Sequence, residues 1–199
     1  MKLDSMETMF HQHLRDLYDA EKRLLRALPK MAKNATSEEL REAMQNHVEV
    51  TRQQVSRLEQ IFTKLGKKAS AKKCAGMKGI IEEGEEVMEQ EGEETLLDLE
   101  IIAAGRKVEH YEMASYRALE AMAESIGDEE ITELIRETLA EEEEADGILS
   151  GLSEQLMEEA ASASEEEIED MDEDEDDEEE VEEEEEEEAV ATPTRARKK

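Results

Sequence analysis

The chain has 199 residues with 58 acidic and 24 basic side chains, a formal net charge of −34, and this excess of acid argues against nucleic acid as a partner of the folded domain because phosphates would be repelled. The single cysteine, Cys74, excludes an internal disulfide framework and is typical of a reducing compartment. With neither a signal peptide nor an apolar run long enough to span a bilayer, we expect a cytoplasmic protein without a membrane partner.

Composition divides the chain into two parts. Residues 1–160 carry 37 acidic and 20 basic side chains, whereas residues 161–199 carry 21 acidic and 4 basic ones. The second part therefore holds half of the net charge and has almost nothing apolar to bury, which is typical of disorder. We predict a folded domain over 1–160 and a disordered acidic tail over 161–199. The tail ends in a short basic tip, and its acidity suits a basic protein partner.

Four long segments of the folded domain repeat apolar residues every three or four positions, which predicts amphipathic helices. The second of them should begin at an N-cap formed by Thr36 or Ser37, and Gly127 with Asp128 should form the turn before the last. A shorter amphipathic segment lies between the two pairs. The five helices are predicted at about 5–32, from 38 to near 66, 77–89, 94–125, and from 129 through 156.

Short turns join the first helix to the second and the third long helix to the fourth. A long basic connection that contains the short helix joins the two pairs. Two helical hairpins connected in this way form a four-helix bundle. A content of 3% aromatic residues and two prolines favours the same class, because strands are enriched in aromatic and β-branched residues. The sequence predicts an all-α bundle with an additional short helix in the crossover.

Titratable residues interrupt the apolar stripe of each long helix near its middle. Glu21 lies in the stripe of the first helix, Glu112 in the third, and Glu142 with Asp146 one turn later in the fourth. His47 lies about 60° from the centre of the second stripe, at roughly 100° per residue. Reflection through the two turns places Glu21 opposite His47 and Glu112 opposite Glu142. We therefore expect these side chains at one level inside the bundle.

Several carboxylates in a small apolar space cannot all ionise without a counter-charge. Bundles supply that charge with two iron or manganese ions, held by inward glutamates and histidines of facing helices. The alternative is that each long glutamate extends from the edge of its stripe to water. We favour the metal because three glutamates and an adjacent histidine share one level.

Other polar residues near this level carry weaker signals. Glu109 flanks the third stripe, and the pattern leaves open whether it is a further ligand. Glu49 precedes Arg52 by three positions, where a Glu-x-x-His pair would be sought, but it points outward and is expected at the surface or beside the ligands. Tyr18 and Tyr116 are expected to pack.

The residues and their order resemble those of the YciE/YciF group of ferritin-like proteins between Glu7 and Leu156. The resemblance implies a five-helix ferritin-like fold, a homodimer, and a di-metal centre in a bacterial stress-response protein. It maps the inward acids onto Glu21, Glu112, Glu142 and Asp146, with His47 and Glu109 near them. The stretches that carry it are "DLYDAEKRLLRALPKMAKNATSEELREAMQNHVEVTRQQVSRLEQIF", "CAGMKGIIEEGEEVM", "KVEHYEMASYRAL" and "ETLAEEEEAD".

Two hypotheses of function follow from the sequence. In the first, two iron or manganese ions in the bundle act on iron, oxygen or peroxide during stress. In the second, the protein is not an enzyme: the bundle is a scaffold, any metal is structural, and the acidic tail binds basic partners. The absence of the Glu-x-x-His pairs of ferritins, with Arg52 and Asp146 near those positions, leaves the choice open.

Overall fold

The computed structural model describes the backbone of residues 3–190 and the side chains of residues 3–162. This part of the chain forms five α-helices and no strand, which confirms the predicted all-α class. None of these helices combines the length and apolarity needed to cross a membrane. The helices are α1 (Met6–Asn34), α2 (Glu38–Lys64), α3 (Ala75–Val87), α4 (Glu94–Ile126) and α5 (Glu129–Val190).

Local signals in the sequence set the ends of these helices. The side chain of Ser37, rather than Thr36, caps α2 by accepting a hydrogen bond from the backbone N–H of Leu40 at 3.3 Å. Gly127 ends α4 with a φ of 81°, a left-handed conformation that favours glycine. Asp128 then accepts a hydrogen bond from the N–H of Ile131 at 3.1 Å at the start of α5. Both hairpin turns are therefore short.

The helices form two hairpins, α1–α2 and α4–α5, that pack side by side. Helix α1 packs against α2 and α4, and α3 covers α4 and part of α1. Ion pairs join α5 to its neighbours: Arg57 of α2 contacts Glu141, and Arg117 of α4 contacts Glu143. Short α3 thus occupies the crossover, as predicted.

The apolar interior consists of two clusters at opposite ends of the bundle. One surrounds the C-terminal half of α1 and includes Leu24, Leu28 and Ile102. The other surrounds its N-terminal half and includes Phe10 and Leu119. Between them lies a buried polar layer, defined here as the side chains Glu21, His47, Thr51, Gln54, Glu109, Glu112 and Glu142.

Two compact units divide the chain, Met1–Met157 and a second unit that begins at Glu158. Backbone helix continues along α5 to Val190. The disorder of the acidic tail over 161–199 stays a prediction from its composition. The basic tip at 192–199 lies outside the described residues.

Candidate metal centre

Four bundle helices each contribute at least one titratable side chain to the polar layer. Glu21 lies on α1, His47 on α2, Glu109 and Glu112 on α4, and Glu142 on α5. The glutamates are buried, and His47 is only 9% exposed. Helical periodicity turns these positions toward the bundle axis, between the two apolar clusters.

Four of these residues bring donor atoms close enough to surround one ion. One ligand atom from each of His47, Glu109, Glu112 and Glu142 lies within 4.8 Å of the others. The Nε2 atom of His47 is 3.5 Å from Oε1 of Glu109 and 3.7 Å from Oε2 of Glu142. Donors on opposite sides of an ion with bonds of about 2.1 Å are roughly 4.2 Å apart, so the spacing suits a small divalent cation.

Most of the metal-ligating atoms of these four residues make no hydrogen bond with the described residues. Both carboxylate oxygens of Glu112, both of Glu142, Oε2 of Glu109 and Nε2 of His47 are buried without a hydrogen-bond partner in the described part of the chain. An unpaired buried carboxylate costs several kcal/mol, on the order of the penalty for moving an ion out of water. A bound cation would satisfy all of these atoms together, so the residues fit a metal.

Burial also changes the proton affinities of the layer. It raises the pKa of Glu112 and of Glu142 well above the usual range, with help from the neighbouring carboxylates. Burial raises the pKa of Glu109 to about 8 and lowers the pKa of His47 to about 4. Without metal, the carboxyls therefore retain protons near neutral pH, while the imidazole is neutral, as a metal ligand must be.

Glu21 lies beside this four-residue cluster rather than within it. Its Oε1 accepts a hydrogen bond from the buried hydroxyl of Tyr116, and its Oε2 has no hydrogen-bond partner in the described part of the chain. Burial and the charge of Glu142 raise the pKa of Glu21 well above its usual range. Tyr116 was expected only to pack, but its hydroxyl positions an acid of the layer.

The structure does not bring Asp146 into the cluster. Its carboxylate accepts hydrogen bonds from Arg106 of α4 at 2.8 and 3.3 Å, and Nε2 of His110 lies 3.3 Å away. The hydrogen bonds from Arg106 hold the pKa of Asp146 below its usual range. Arg106 already neutralises Asp146, whose side chain is 18% exposed. This position differs from the prediction that Asp146 is a metal ligand.

Two further buried residues of α2 reach the layer and were not anticipated as site residues. Gln54 is fully buried; its Nε2 donates to Glu141 at 3.2 Å, and its Oε1 has no hydrogen-bond partner among the residues described. Arg57 donates to both carboxylate oxygens of Glu141, at 2.6 and 2.5 Å. Gln54 lies two turns after His47 on the same side of α2, which periodicity could have shown, whereas Arg57 lies on the flank of α2 that contacts α5.

Glu49 and Arg52 lie outside the layer. They form an exposed ion pair with each other on the outer face of α2. This agrees with the surface position that the periodicity of the helix predicts for Glu49.

Comparison with known proteins identifies the family. The family model "Domain of unknown function (DUF892)" matches residues 5–162. The chain belongs to the DUF892 family. Protein YciF of Escherichia coli (strain K12) is 40% identical over 154 residues, which are 77% of this chain and 93% of that protein. This confirms the resemblance to the YciE/YciF group.

Two solved structures of similar proteins support the fold of this DUF892 chain. The crystal structure of the E. coli stress protein YciF matches with a TM-score of 0.76 and 38% identity, covering 78% of this chain and 99% of that one. YcfI of Rhodopseudomonas palustris matches with a TM-score of 0.73 and 38% identity, covering 75% of this chain and 95% of that one. Both matches are consistent with a ferritin-like bundle.

Proposed function

We propose that this DUF892 chain is a stress protein that holds two iron or manganese ions in its polar layer and uses them on iron, oxygen or peroxide. One observation carries the proposal: the buried donor atoms of His47, Glu109, Glu112 and Glu142 converge without hydrogen-bond partners in the described part of the chain. The description of E. coli YciF as a stress protein supports the biological context.

The charges of the layer favour two ions over one. When ionised, Glu21, Glu109, Glu112 and Glu142 carry four negative charges, which two divalent cations would neutralise. His47, Glu109, Glu112 and Glu142 would hold the first ion. Glu21, which lies beside this cluster, would join Glu112 and Glu142 in holding the other.

The donor types favour iron or manganese. Carboxylates and one imidazole suit these metals, whereas softer ions prefer thiolates. The buried thiol of Cys74 is not in the polar layer; it lies 3.0 Å from the hydroxyl of Tyr111. Bound iron or manganese would polarise an oxygen species and exchange electrons with it.

The protein residues would orient and shield this chemistry. Neutral His47 offers a lone pair at Nε2. Tyr116 fixes one oxygen of Glu21, which limits the rotation of that carboxylate. The glutamates of the layer are buried between the two apolar clusters, where the local dielectric constant is low, so their charges interact strongly. Glu109, Glu112 and Glu142 would release their protons when a cation binds to their carboxylates.

Thermal unfolding with and without metal tests the proposal. We would compare wild type, Glu142→Gln and the control Glu143→Gln, an adjacent surface residue paired with Arg117, each with Fe(II) or Mn(II) under anaerobic conditions. At metal concentrations of about 100 times Kd, binding adds about 2.7 kcal/mol, which raises Tm by roughly 5–10 °C for a domain of this size. Wild type and Glu143→Gln should show this rise, and Glu142→Gln a much smaller one.

Two results would argue against the proposal at different levels. A wild-type Tm that neither metal changes would contradict the metal site itself. In the second result, the Tm depends on metal but no Fe(III) forms after oxygen or peroxide is admitted, as monitored by absorbance. This result would support the metal site and contradict the redox activity. Metal content after purification without chelator should distinguish iron from manganese.

A further inference from the structure

A groove of about 490 Å³ opens between α2 and α5 and reaches the polar layer. His47 and Glu109 lie at its inner end, where Nε2 of the one and Oε2 of the other have no hydrogen-bond partner in the described part of the chain. Its volume is within the range of small-molecule sites, about 300–1,000 Å³. The groove therefore connects the outside of the bundle to the candidate metal centre.

Apolar side chains form the walls of this groove. Ala43 and Val50 line it from α2, and Ala145, Ile148 and Leu152 line it from α5. Ile148 is 49% exposed, so part of its apolar side chain is accessible to a molecule in the groove. A molecule that occupies the groove would gain about 25 cal/mol for each Å² of apolar surface removed from water. An apolar body therefore suits these walls.

Charge restricts the molecules that can enter. Glu39, Glu42 and Glu144 line the outer part of the groove, and all three are exposed. Three carboxylates at an entrance repel anions. If two divalent cations occupy the polar layer, as proposed above, they neutralise its four carboxylates, so no charge at the inner end offsets the cost of desolvating a charged head group between the apolar walls. The polar head that fits both ends is uncharged.

We propose that the groove is the substrate site of the metal centre and that it takes an organic hydroperoxide, ROOH, with the apolar R group between α2 and α5. This inference rests on the proposed function for its chemistry. Reduction of ROOH breaks the O–O bond, takes up two electrons and two protons, and gives ROH and water. Two Fe(II) ions held by the polar layer would supply the two electrons and would become Fe(III). Hydrogen peroxide has no R group, so it does not depend on the walls.

Binding to the metal-free, full-length protein tests the groove without relying on activity. Titration calorimetry would measure the affinity of the protein for cumyl alcohol, an uncharged product, and for 2-phenylpropanoate, an anion of similar size. We expect saturable binding of the alcohol and at least tenfold weaker binding of the anion. Val50→Trp and Ala145→Phe fill the groove from opposite walls and should each weaken alcohol binding at least tenfold. Leu96→Trp, at an exposed position of α4, is the control and should bind as wild type does.

Activity of the iron-loaded protein tests the substrate class. Val50→Trp should slow Fe(II) oxidation by cumene hydroperoxide at least tenfold, whereas the control Leu96→Trp should change it less than twofold. Absence of alcohol binding, or equal binding by wild type and both groove variants, would overturn the site. Binding without reduction of cumene hydroperoxide by the loaded protein would overturn the substrate class. A protein that binds the alcohol but no Fe(II) would refute the proposed function and the reduction step while supporting the groove as a ligand site.

Discussion

The hydroxyl of Tyr116 on α4 donates a hydrogen bond to the Oε1 atom of Glu21 on α1, and both side chains are fully buried. This bond joins the two hairpins at the level of the polar layer. Burial and the charge of Glu21 raise the pKa of Tyr116 well above its usual range. The hydroxyl therefore keeps its proton at neutral pH and can act as a donor to Glu21.

Replacement of Tyr116 by phenylalanine should destabilise the metal-free protein. The change leaves Oε1 of Glu21 without a donor, and an unsatisfied buried acceptor costs about 1–3 kcal/mol. Urea denaturation would measure the loss in the free energy of unfolding. The control is Tyr18→Phe, which removes a hydrogen bond at 2.7 Å to the more accessible Glu59 and should cost less. Equal losses would show that the hydrogen bond of Tyr116 to a buried acid contributes no more than the hydrogen bond of Tyr18 to the more accessible Glu59.

The stability of the metal-free protein should fall as pH rises from about 6.5 to 8. Burial raises the pKa of Glu109 to about 8 and raises that of Glu142 well above its usual range, so the folded state holds protons that the unfolded chain has lost. Because the folded state binds more protons in this window, each such proton reduces the unfolding free energy by up to about 1.4 kcal/mol per pH unit.

Urea denaturation at pH 6.5, 7.2 and 8 would measure this dependence. His47, with a pKa lowered to about 4, has the opposite effect, but mainly below pH 6.5. Glu142→Gln removes one titrating proton and should flatten the slope, whereas Glu143→Gln should not. Saturating Mn(II) should abolish the decline, because metal binding strengthens as the carboxyls lose their protons. An identical slope in Glu142→Gln would argue against protonation of this carboxyl.

The buried pair of Arg57 and Glu141 should contribute more to stability than an exposed pair on the same helix. Arg57 is 7% exposed and also donates to Glu137 at 2.9 Å. Arg57→Met would leave Glu141 without its cation, which we expect to cost about 2–3 kcal/mol, somewhat below the 3–5 kcal/mol typical of fully buried pairs. Arg52→Met breaks the exposed pair with Glu49 and should cost far less. Chemical denaturation of both variants would compare them, and similar losses would contradict the argument.

The spacing of apolar residues within each helix was sufficient to predict the fold and the height along the bundle at which the candidate site lies. Stripes of three-four spacing located the helices, and reflection through the turns placed Glu21, His47, Glu112 and Glu142 at one level, where the structure has them. These inferences hold because helix rise and short turns leave little freedom in the register of a hairpin.

Contacts between helices decided the details that the pattern could not. Asp146 follows Glu142 by one turn and shares its stripe, yet Arg106 of α4 neutralises it. Nothing in the sequence of α5 reveals that cation. Gln54 was missed for the opposite reason, since a search for charged groups in apolar stripes passes over an uncharged amide. Glu109 could be assigned to the cluster only when the rotation of α4 against α2 was known.

Removal of residues 163–199 should leave the stability of the bundle nearly unchanged, because this acidic segment has almost no apolar residue to bury. The cut follows Leu156, which belongs to the apolar interior.

The full chain has a net charge of −34, so added salt should raise its Tm by screening repulsion. The shortened chain, with less charge to screen, should respond less. Far-UV circular dichroism during heating, at about 20 mM and 500 mM sodium chloride, would give both Tm values. A drop of more than about 5 °C on truncation at 500 mM salt, on the order of 1 kcal/mol for a domain of this size, would show that the tail supports the bundle.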